Sequence, residues 1–388
     1  MQNRVQQGAV DRFTSGGGGE AKLTPFVGES YPQKLRVAMG SDQQPDVFFN
    51  WGGGSIRQFA QGNLLVDLTP ALDGDAAFKA KFLPAVLDAG KIGEKYYGIP
   101  LRGMQPIILY YNKDVLARVG AQPPTTWAQT LALVDTLKAA KITPFALAGT
   151  QKWTLLMWIE YLAERIGGPA VFQRIADGDK TGWQDPAMLK ALDSIGELVD
   201  RGAFGTNWAS VNYEEGGAST LFAQGKAAMH LMGSWEYTNQ VDQQPEFAAK
   251  GLGWTAFPAY EGGAGDPKAI VGNPTNYFSI TSASDDVEGA TAFLKQEMAS
   301  DAYVEDWIKR ATCRRSPASR RGSPRRRARS SPRSSTAWSA TPAASSSPGT
   351  RRSTTSTPSP CSPTCRSCSS ASSTRRGSRP RWPRWHER

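Results

Sequence analysis

The sequence predicts an α/β protein, and three observations support this fold class. Short apolar runs of strand character alternate with amphipathic helices from the first residues to about residue 310. Helix-start signals precede several of the helices, and no internal repeat is visible. Such alternation favours parallel sheets, whose ligands lie beyond the carboxyl ends of the strands.

The individual elements follow from periodicity and from their flanking residues. Capping signals are expected at Ser55, Thr126 with Gln129, Asp185 before Pro186, and Asp285 with Glu288. The predicted strands are residues 21–27, 45–50, 107–111, 227–232, 253–257 and 276–280. The predicted helices are residues 31–39, 127–138, 153–166, 186–201, 286–299 and 302–310, with one more after Ser55.

Composition changes abruptly at residue 311. Residues 311–388 lack Leu, Ile, Val, Met, Phe, Tyr and Lys, so this segment cannot bury a core. It holds 18 of the 45 Lys and Arg residues and one of the 35 Asp and Glu residues. The formal net charge of +10 therefore belongs to the tail, and the body is mildly acidic. We expect 311–388 to be disordered or translated out of frame.

The cysteines and the N-terminus carry little information about a site. Cys313, Cys361, Cys365 and Cys368 all lie in the tail, where no apolar framework surrounds them, so we expect neither a disulfide framework nor a metal site. No apolar run is long enough to span a membrane. The first 13 residues lack a secretory signal pattern, which indicates either a cytoplasmic protein or a trimmed start.

A search for catalytic patterns predicts no catalytic residue and no cofactor. The sequence has no G-x-S-x-G motif and no complete phosphate-binding loop. His230 lies in an apolar run and is expected to be buried, not to act as a base. The adjacent acids Glu214–Glu215 and Asp285–Asp286 point in different directions from successive residues and make poor acid/base pairs.

Tryptophan is abundant in residues 1–310, which contain nine of the twelve. Trp51, Trp153, Trp208 and Trp235 lie at expected strand ends or helix starts, and all but Trp153 adjoin Gly, Asn or Ser. Flat aromatic faces beside polar side chains suit a sugar, which presents apolar C–H faces and a rim of hydroxyls. The alternative for each is packing in the core, to which we assign Trp127, Trp158 and Trp254.

Several motifs occur together in order. Residues 45–68 contain PDV and then FAQGNLLVDL, and residues 97–113 contain YGIP and then LYYNK. Residues 120–127 read GAQPPTTW, and residues 222–235 contain FAQGKAAM and then GSW. These segments resemble the signature of extracellular solute-binding proteins of family 1, the maltose-binding type, from about residue 20 to residue 310.

The resemblance implies a periplasmic-binding-protein-like fold. In that fold two α/β lobes are joined by a hinge, and the ligand cleft lies between them. It places lobe one at 1–111, lobe two at 112–275, a return to lobe one at 276–310, and the tail at 311–388. It puts hinge crossings at 111–113 and 272–277. It also implies an extracytoplasmic, cell-surface or periplasmic monomer that passes a mono- or oligosaccharide to the transmembrane permease subunits of an ABC importer.

The same resemblance suggests which residues contact the ligand. Trp51, Arg102, Trp153 and Trp235 are the first candidates, since each follows or opens a motif that faces the cleft. For Arg102 a surface salt bridge is an equal alternative. Further candidates for hydroxyl contacts are Asn50, Glu29, Asn273 and Tyr277.

The sequence departs from the family pattern at both ends. The family usually begins with a lipoprotein signal and a first strand that ends in Trp, so one central strand of lobe one is expected to be missing. The family also continues past residue 310 with helices, whereas this chain turns to Arg, Ser and Pro. A frameshift explains that change, and the other reading frames should then encode a Leu-rich helical continuation.

Two other functions remain open on sequence grounds. A glycoside hydrolase also lines a groove with aromatic residues, but it needs two carboxylates about 5 to 10 Å apart across that groove. The basic tail alternatively acts as a non-specific nucleic-acid arm. No reader domain accompanies the tail, so nucleic acid is not the partner we expect.

Overall fold

A computed structural model describes residues 2–26, 30–213 and 217–312 of the chain. The predictions for Glu29, for Glu214–Glu215 and for the tail beyond residue 312 lie outside these residues. The helices are α1 (Gln2–Ser15), α2 (Tyr31–Met39), α3 (Gly54–Gln61), α4 (Thr69–Asp73), α5 (Ala76–Lys79), α6 (Pro84–Asp88), α7 (Lys113–Arg118), α8 (Trp127–Ala139), α9 (Lys152–Gly167), α10 (Ala170–Ala176), α11 (Pro186–Asp200), α12 (Ala218–Ala223), α13 (Trp235–Gln243), α14 (Pro245–Lys250), α15 (Val287–Glu297) and α16 (Asp301–Thr312). The strands are β1 (Val47–Asn50), β2 (Lys91–Ile92), β3 (Lys95–Tyr96), β4 (Ile99–Pro100), β5 (Gln105–Asn112), β6 (Thr143–Ala146), β7 (Ala227–Gly233), β8 (Leu252–Thr255), β9 (Gly272–Asn273) and β10 (Tyr277–Ile280). Short 3-10 helices lie at Lys180–Gln184 and Trp208–Ser210.

The first lobe is built on a sheet with the strand order β1–β10–β4. Strand β10 runs antiparallel to both neighbours and pairs Ile280 with Val47 and Tyr277 with Pro100. The core of the first lobe joins Ile280 with apolar residues of the surrounding helices, among them Leu294 of α15. Helices α1 and α16 lie side by side, where the Arg12 guanidinium forms ion pairs with carboxylates of both C-terminal helices.

The second lobe is built on a larger sheet with the order β6–β7–β5–β8, and β9 pairs with the beginning of β5. Strand β7 is buried along its whole length because helices cover the sheet. Its core gathers buried apolar side chains from strands β5, β6 and β7 and from helices α8, α9, α11 and α12. The two sheets and their separate cores confirm the predicted two-lobed α/β fold.

The chain passes between the sheets twice. Strand β4 ends in the first sheet at Pro100 and β5 begins in the second at Gln105. On the return, β9 ends at Asn273 and β10 begins at Tyr277. The first passage therefore lies at residues 101–104, earlier than the crossing expected at 111–113, because β5 pairs with the second sheet along its whole length. The exact lobe boundaries remain a prediction.

The expectation of parallel sheets is wrong. Among the described strands only β6 and β7 pair in parallel. Strand β10 arrives from the second lobe and inserts between β1 and β4 in the opposite direction, so sheet neighbours are not successive strand–helix–strand units. Hydrophobic periodicity reports which face of a strand is buried, and it carries no information about strand direction.

Most predicted elements are confirmed, and the exceptions are local. Residues 21–26 form no strand, and His230 is buried as predicted, with 1% exposure. The Thr126 and Asp185 side chains accept hydrogen bonds at the starts of α8 and α11. Helix α3 starts before Ser55, whose hydroxyl donates to the Gly52 carbonyl. Asp286, one residue after the expected cap, accepts from the Gly289 amide at the start of α15.

Candidate functional site

The first lobe presents an aromatic cluster made of Phe26, Tyr31, Phe49 and Trp51. Trp51 directly follows β1, and its ring lies 5.0 Å from the Phe49 ring and 5.9 Å from the Tyr31 ring, both edge to face. The Tyr31 hydroxyl donates to the Phe49 carbonyl, which fixes α2 against β1. Trp51 remains 39% exposed, so the cluster supports one face of an accessible indole.

Asn50 shapes the turn that presents this indole. Its amide nitrogen donates to the Ser279 hydroxyl at 2.8 Å, and its amide oxygen accepts from the Gly52 backbone at 2.9 Å. Only 1% of the residue is exposed. Asn50 therefore holds the site together, and the expectation that it contacts a ligand hydroxyl is not supported by its position. A cavity of about 190 Å³ lies beside it, lined by Pro32, Leu35, Arg36, Asn50, Trp51, Gly54, Ser55, Gln58 and Phe59.

The second lobe presents another aromatic cluster, made of Trp153, Tyr213 and Trp235. Trp153 lies in the first turn of α9, and its ring is 5.3 Å from the Tyr213 ring at an interplanar angle of 82°. The Trp235 ring lies 6.0 Å from that of Trp153. The structure thus brings together two of the four leading candidates, and it adds Tyr213, which sequence reasoning missed.

Glycine in the GSW motif allows Trp235 to adopt this position. A Cβ atom at Gly233 would collide with the Trp235 ring, so only glycine lets the indole fold back over the end of β7. The Ser234 amide donates to the Pro106 carbonyl at 2.8 Å, which ties this turn to the start of β5. The motif therefore places the indole close to the passage between the lobes.

Beneath this second cluster lies a buried carboxylate. Glu236 has no exposed surface and accepts hydrogen bonds from the Tyr213 hydroxyl at 3.0 Å, the Ser219 hydroxyl at 2.9 Å and the Gln240 amide at 2.6 Å. Burial and the negative charge of Glu236 raise the pKa of Tyr213 far above its usual value, so the phenol stays protonated and donates. Sequence gave no sign of this network, because glutamate is rarely buried.

Arg102 joins the two passages between the lobes. Its guanidinium donates to the Asn276 side chain and, at 3.0 Å, to Gln105 Oε1, and it lies 5.9 Å from the Trp307 ring of α16. The Thr275 hydroxyl donates to the Arg102 carbonyl. Burial lowers the pKa of Arg102 to about 10, which still leaves it charged at neutral pH. These hydrogen bonds connect the two passages between the lobes, and a ligand contact by Arg102 stays a prediction.

The remaining candidates have different surroundings. Asn273 is half-buried in β9, where it pairs with Gln105. Tyr277 is fully buried, and its hydroxyl donates to the Val86 carbonyl at 2.7 Å, so it packs within the first lobe. A ligand contact by Tyr277 stays a prediction. Glu29 lies outside the residues that the structure describes.

The two lobes also touch directly. The Arg57 guanidinium of α3 donates to the Ala176 carbonyl at the end of α10, with a distance of 2.6 Å. A cation at a helix C-terminus is favourable because unpaired carbonyls concentrate there. This hydrogen bond links the first lobe to the second away from the connecting segments.

The arrangement has the chemistry of a binding site for a polar molecule with apolar faces. The first lobe supplies one partly accessible indole, Trp51, and the second supplies two, Trp153 and Trp235. Polar side chains adjoin both clusters. No group of three or more His, Cys, Asp and Glu side chains within 2–26, 30–213 and 217–312 is arranged to hold a metal ion. In those same ranges, no helix has the length and apolar character needed to cross a membrane.

Comparison with known proteins gives the family. The family model for bacterial extracellular solute-binding proteins matches residues 2–304. A multiple sugar-binding protein of Streptococcus mutans is 31% identical over 209 residues, which cover 53% of this chain and 48% of that protein. A probable sugar-binding periplasmic protein of Mesorhizobium japonicum is 26% identical over 295 residues, which cover 74% of this chain and 64% of that protein. The chain thus spans about half to two thirds of the length of these curated relatives.

Solved structures agree in fold. A chitin oligosaccharide binding protein has a TM-score of 0.68 at 24% identity, and the match covers 80% of this chain and 76% of that one. An ABC transporter solute-binding protein from Thermotoga lettingae, bound with α-D-tagatose, has a TM-score of 0.62 at 20% identity over 79% of this chain and 76% of that one. Since the family match extends over most of the sequence, the chain belongs to the bacterial extracellular solute-binding proteins.

Proposed function

We propose that this chain is the substrate-binding component of an ABC-type carbohydrate importer. It captures a mono- or oligosaccharide between its lobes and delivers it to a membrane permease. The observation that carries the proposal is the pair of aromatic clusters, one on each lobe, with Trp51 in the first and Trp153 and Trp235 in the second. Two named relatives are described as sugar-binding, which supports the same ligand class.

The physical basis of binding is the match between indoles and sugar rings. The C–H faces of a pyranose lie against aromatic faces, while its hydroxyls need hydrogen-bonding partners at the rim. Closing one lobe on the other would enclose the sugar and remove these three indoles from water. Motion about residues 101–104 and 274–276 is the natural route, since the chain there belongs to neither sheet. We place the protein outside the cytoplasm as a monomer.

The first test measures thermal unfolding of the purified chain against a panel of mono- and oligosaccharides. A ligand that binds only the folded state raises the unfolding midpoint, and the stabilisation grows with the logarithm of the ligand concentration over Kd. A concentration-dependent rise with one sugar supports the proposal and identifies the ligand. A cooperative transition that no sugar shifts contradicts the proposed ligand class.

Replacing Trp51 by alanine tests the role of the first cluster. We expect Trp51→Ala to weaken sugar binding about fivefold, since an aromatic contact contributes roughly 1 kcal/mol. Trp183→Ala is a matched control, because Trp183 is also exposed, at 47%, and belongs to neither cluster. Isothermal titration of both variants measures the difference, and equal affinities would exclude Trp51 from the site.

A glycoside hydrolase remains the alternative, and the structure gives it no specific support. Glu236, the carboxylate nearest the second cluster by its hydrogen bonds, is fully buried and already accepts three of them. It therefore lacks the access that a general acid or a nucleophile needs. Release of reducing sugar from an oligosaccharide that shifts the unfolding midpoint would favour the hydrolase.

A further inference from the structure

The Glu236 carboxylate lies in an unusual environment for a charged group. It is fully buried in the first turn of α13, and none of the ion pairs within the described ranges includes it. Burying an ionised carboxylate without a cation costs free energy that hydrogen bonds only partly offset. An apolar side chain would fill the same place at lower cost, so the carboxylate must contribute something beyond packing.

The hydrogen bonds of Glu236 show which residue it fixes, namely Tyr213. The Tyr213 hydroxyl donates to Glu236 Oε2 and accepts from the Asn239 side chain, while the Tyr213 backbone amide donates to Gln151 Oε1 at 3.0 Å. Tyr213 is thus held by hydrogen bonds at its backbone amide and at its hydroxyl, the far end of its side chain. Several hydrogen bonds to one buried side chain restrict its geometry.

Tyr213 in turn packs against the indoles of the second aromatic cluster. Its ring meets the Trp153 ring nearly perpendicularly at 5.3 Å, and Trp153 lies against Trp235. A rotation of the phenol would therefore change the space available to Trp153. The Glu236 carboxylate is therefore linked to the Trp153 indole through Tyr213.

We propose that Glu236 is a positioning residue for ligand binding, which fixes Tyr213 and through it the Trp153 indole in the orientation that a sugar ring meets. This inference rests on the proposed function for its ligand and on the hydrogen bonds for its geometry. It predicts that binding depends on the Tyr213 hydroxyl, although that hydroxyl is directed into the protein.

A matched pair of variants separates positioning from general stability. Tyr213→Phe and Ser219→Ala each remove one hydroxyl that donates to Glu236 Oε2. Only Tyr213 reaches the aromatic cluster. We expect Tyr213→Phe to weaken sugar binding roughly five- to tenfold, and Ser219→Ala to leave Kd within about twofold, although both lower the unfolding midpoint.

A second measurement needs no ligand. The near-ultraviolet circular dichroism of the free protein reports the mutual orientation of Trp153, Tyr213 and Trp235. We expect Tyr213→Phe and Glu236→Gln to change the tryptophan bands and Ser219→Ala to leave them unchanged. Glutamine preserves the size of the side chain but offers a single acceptor oxygen in place of two.

The outcomes distinguish this inference from the proposed function. If the wild-type chain binds a sugar and Tyr213→Phe binds it as tightly as Ser219→Ala does, the positioning role is wrong. If no sugar binds the wild type, the proposed ligand is wrong and circular dichroism alone decides the geometry. Unchanged tryptophan bands in both Tyr213→Phe and Glu236→Gln would overturn the inference.

Discussion

Glu160 shows how the environment of one residue makes stability depend on pH. It lies in the middle of α9, and its carboxylate takes part in none of the hydrogen bonds or ion pairs formed within the described ranges. Burial disfavours the charged form and raises the pKa of Glu160 to about 7. The folded protein therefore holds this proton at pH values where the unfolded chain has released it.

The expected consequence is a loss of stability as pH rises. Because the pKa of Glu160 is higher in the folded state than its usual value of 4.5, the contribution is present at low pH and is lost between about pH 4.5 and 7. Each unit of pKa shift corresponds to about 1.4 kcal/mol. Urea unfolding of wild type and Glu160→Gln at pH 5 and pH 8 measures this, and Glu160→Gln should lose less stability over that interval. An identical pH dependence in the two proteins would show that Glu160 titrates normally.

At the scale of elements, three glycines form a socket for the Tyr277 ring of β10. Cβ atoms added at Gly52, Gly90 and Gly98 would lie 2.6, 3.0 and 2.9 Å from atoms of this side chain. Gly52 also has a φ of +72°, which favours glycine. Gly52 belongs to the turn after β1, Gly90 lies between α6 and β2, and Gly98 belongs to the YGIP segment. The glycine of the YGIP motif is therefore explained by the packing of one buried tyrosine.

This packing predicts opposite effects for two glycine substitutions. Gly98→Ala should destabilise the protein by roughly 1 to 3 kcal/mol, because its Cβ would press on the Cβ and ring carbons of Tyr277. Gly196→Ala should stabilise it by about 0.5 to 1 kcal/mol, since Gly196 is a helix residue in α11 with open space around its Cβ position. Denaturant midpoints of the two variants give the comparison, and a neutral Gly98→Ala would contradict the close packing.

At the scale of the whole molecule, the contact between Arg57 and Ala176 bears on ligand affinity. It joins a helix of the first lobe to a helix of the second, so it exists only while the lobes are close together. Any interaction confined to the closed arrangement favours that arrangement and slows ligand release. The proposed cleft should therefore retain its ligand longer when this hydrogen bond is present.

Removing the Arg57 side chain tests this coupling. Arg57→Ala should weaken sugar binding about tenfold, mainly through faster dissociation, because one hydrogen bond to a charged group contributes roughly 1.5 kcal/mol. Arg4→Ala is the control, since Arg4 is an exposed arginine of α1. Stopped-flow tryptophan fluorescence measures the dissociation rate, and equal rates in the two variants would show that the contact does not influence closure.

The sequence by itself determined the fold class, the order of most elements and the family. Trp127 and Trp158 were assigned to packing from their positions inside helices, and they are 5% and 3% exposed. Trp254 was assigned to packing in the same way, and the prediction is wrong, since it is 56% exposed on the edge strand β8. Local pattern identifies an element, but it does not identify which face of that element remains uncovered.

Only the tertiary structure decided the roles of the polar residues. Sequence places Asn50, Arg102 and Tyr277 at the ligand, which stays a prediction. The structure adds that each forms a hydrogen bond with a residue far away in sequence, namely Ser279, Asn276 and Val86. Strand direction and the Glu236 network depend on contacts of the same kind. Periodicity and capping are short-range properties that a sequence displays directly, whereas the partner of a buried polar group is fixed only when distant segments pack together.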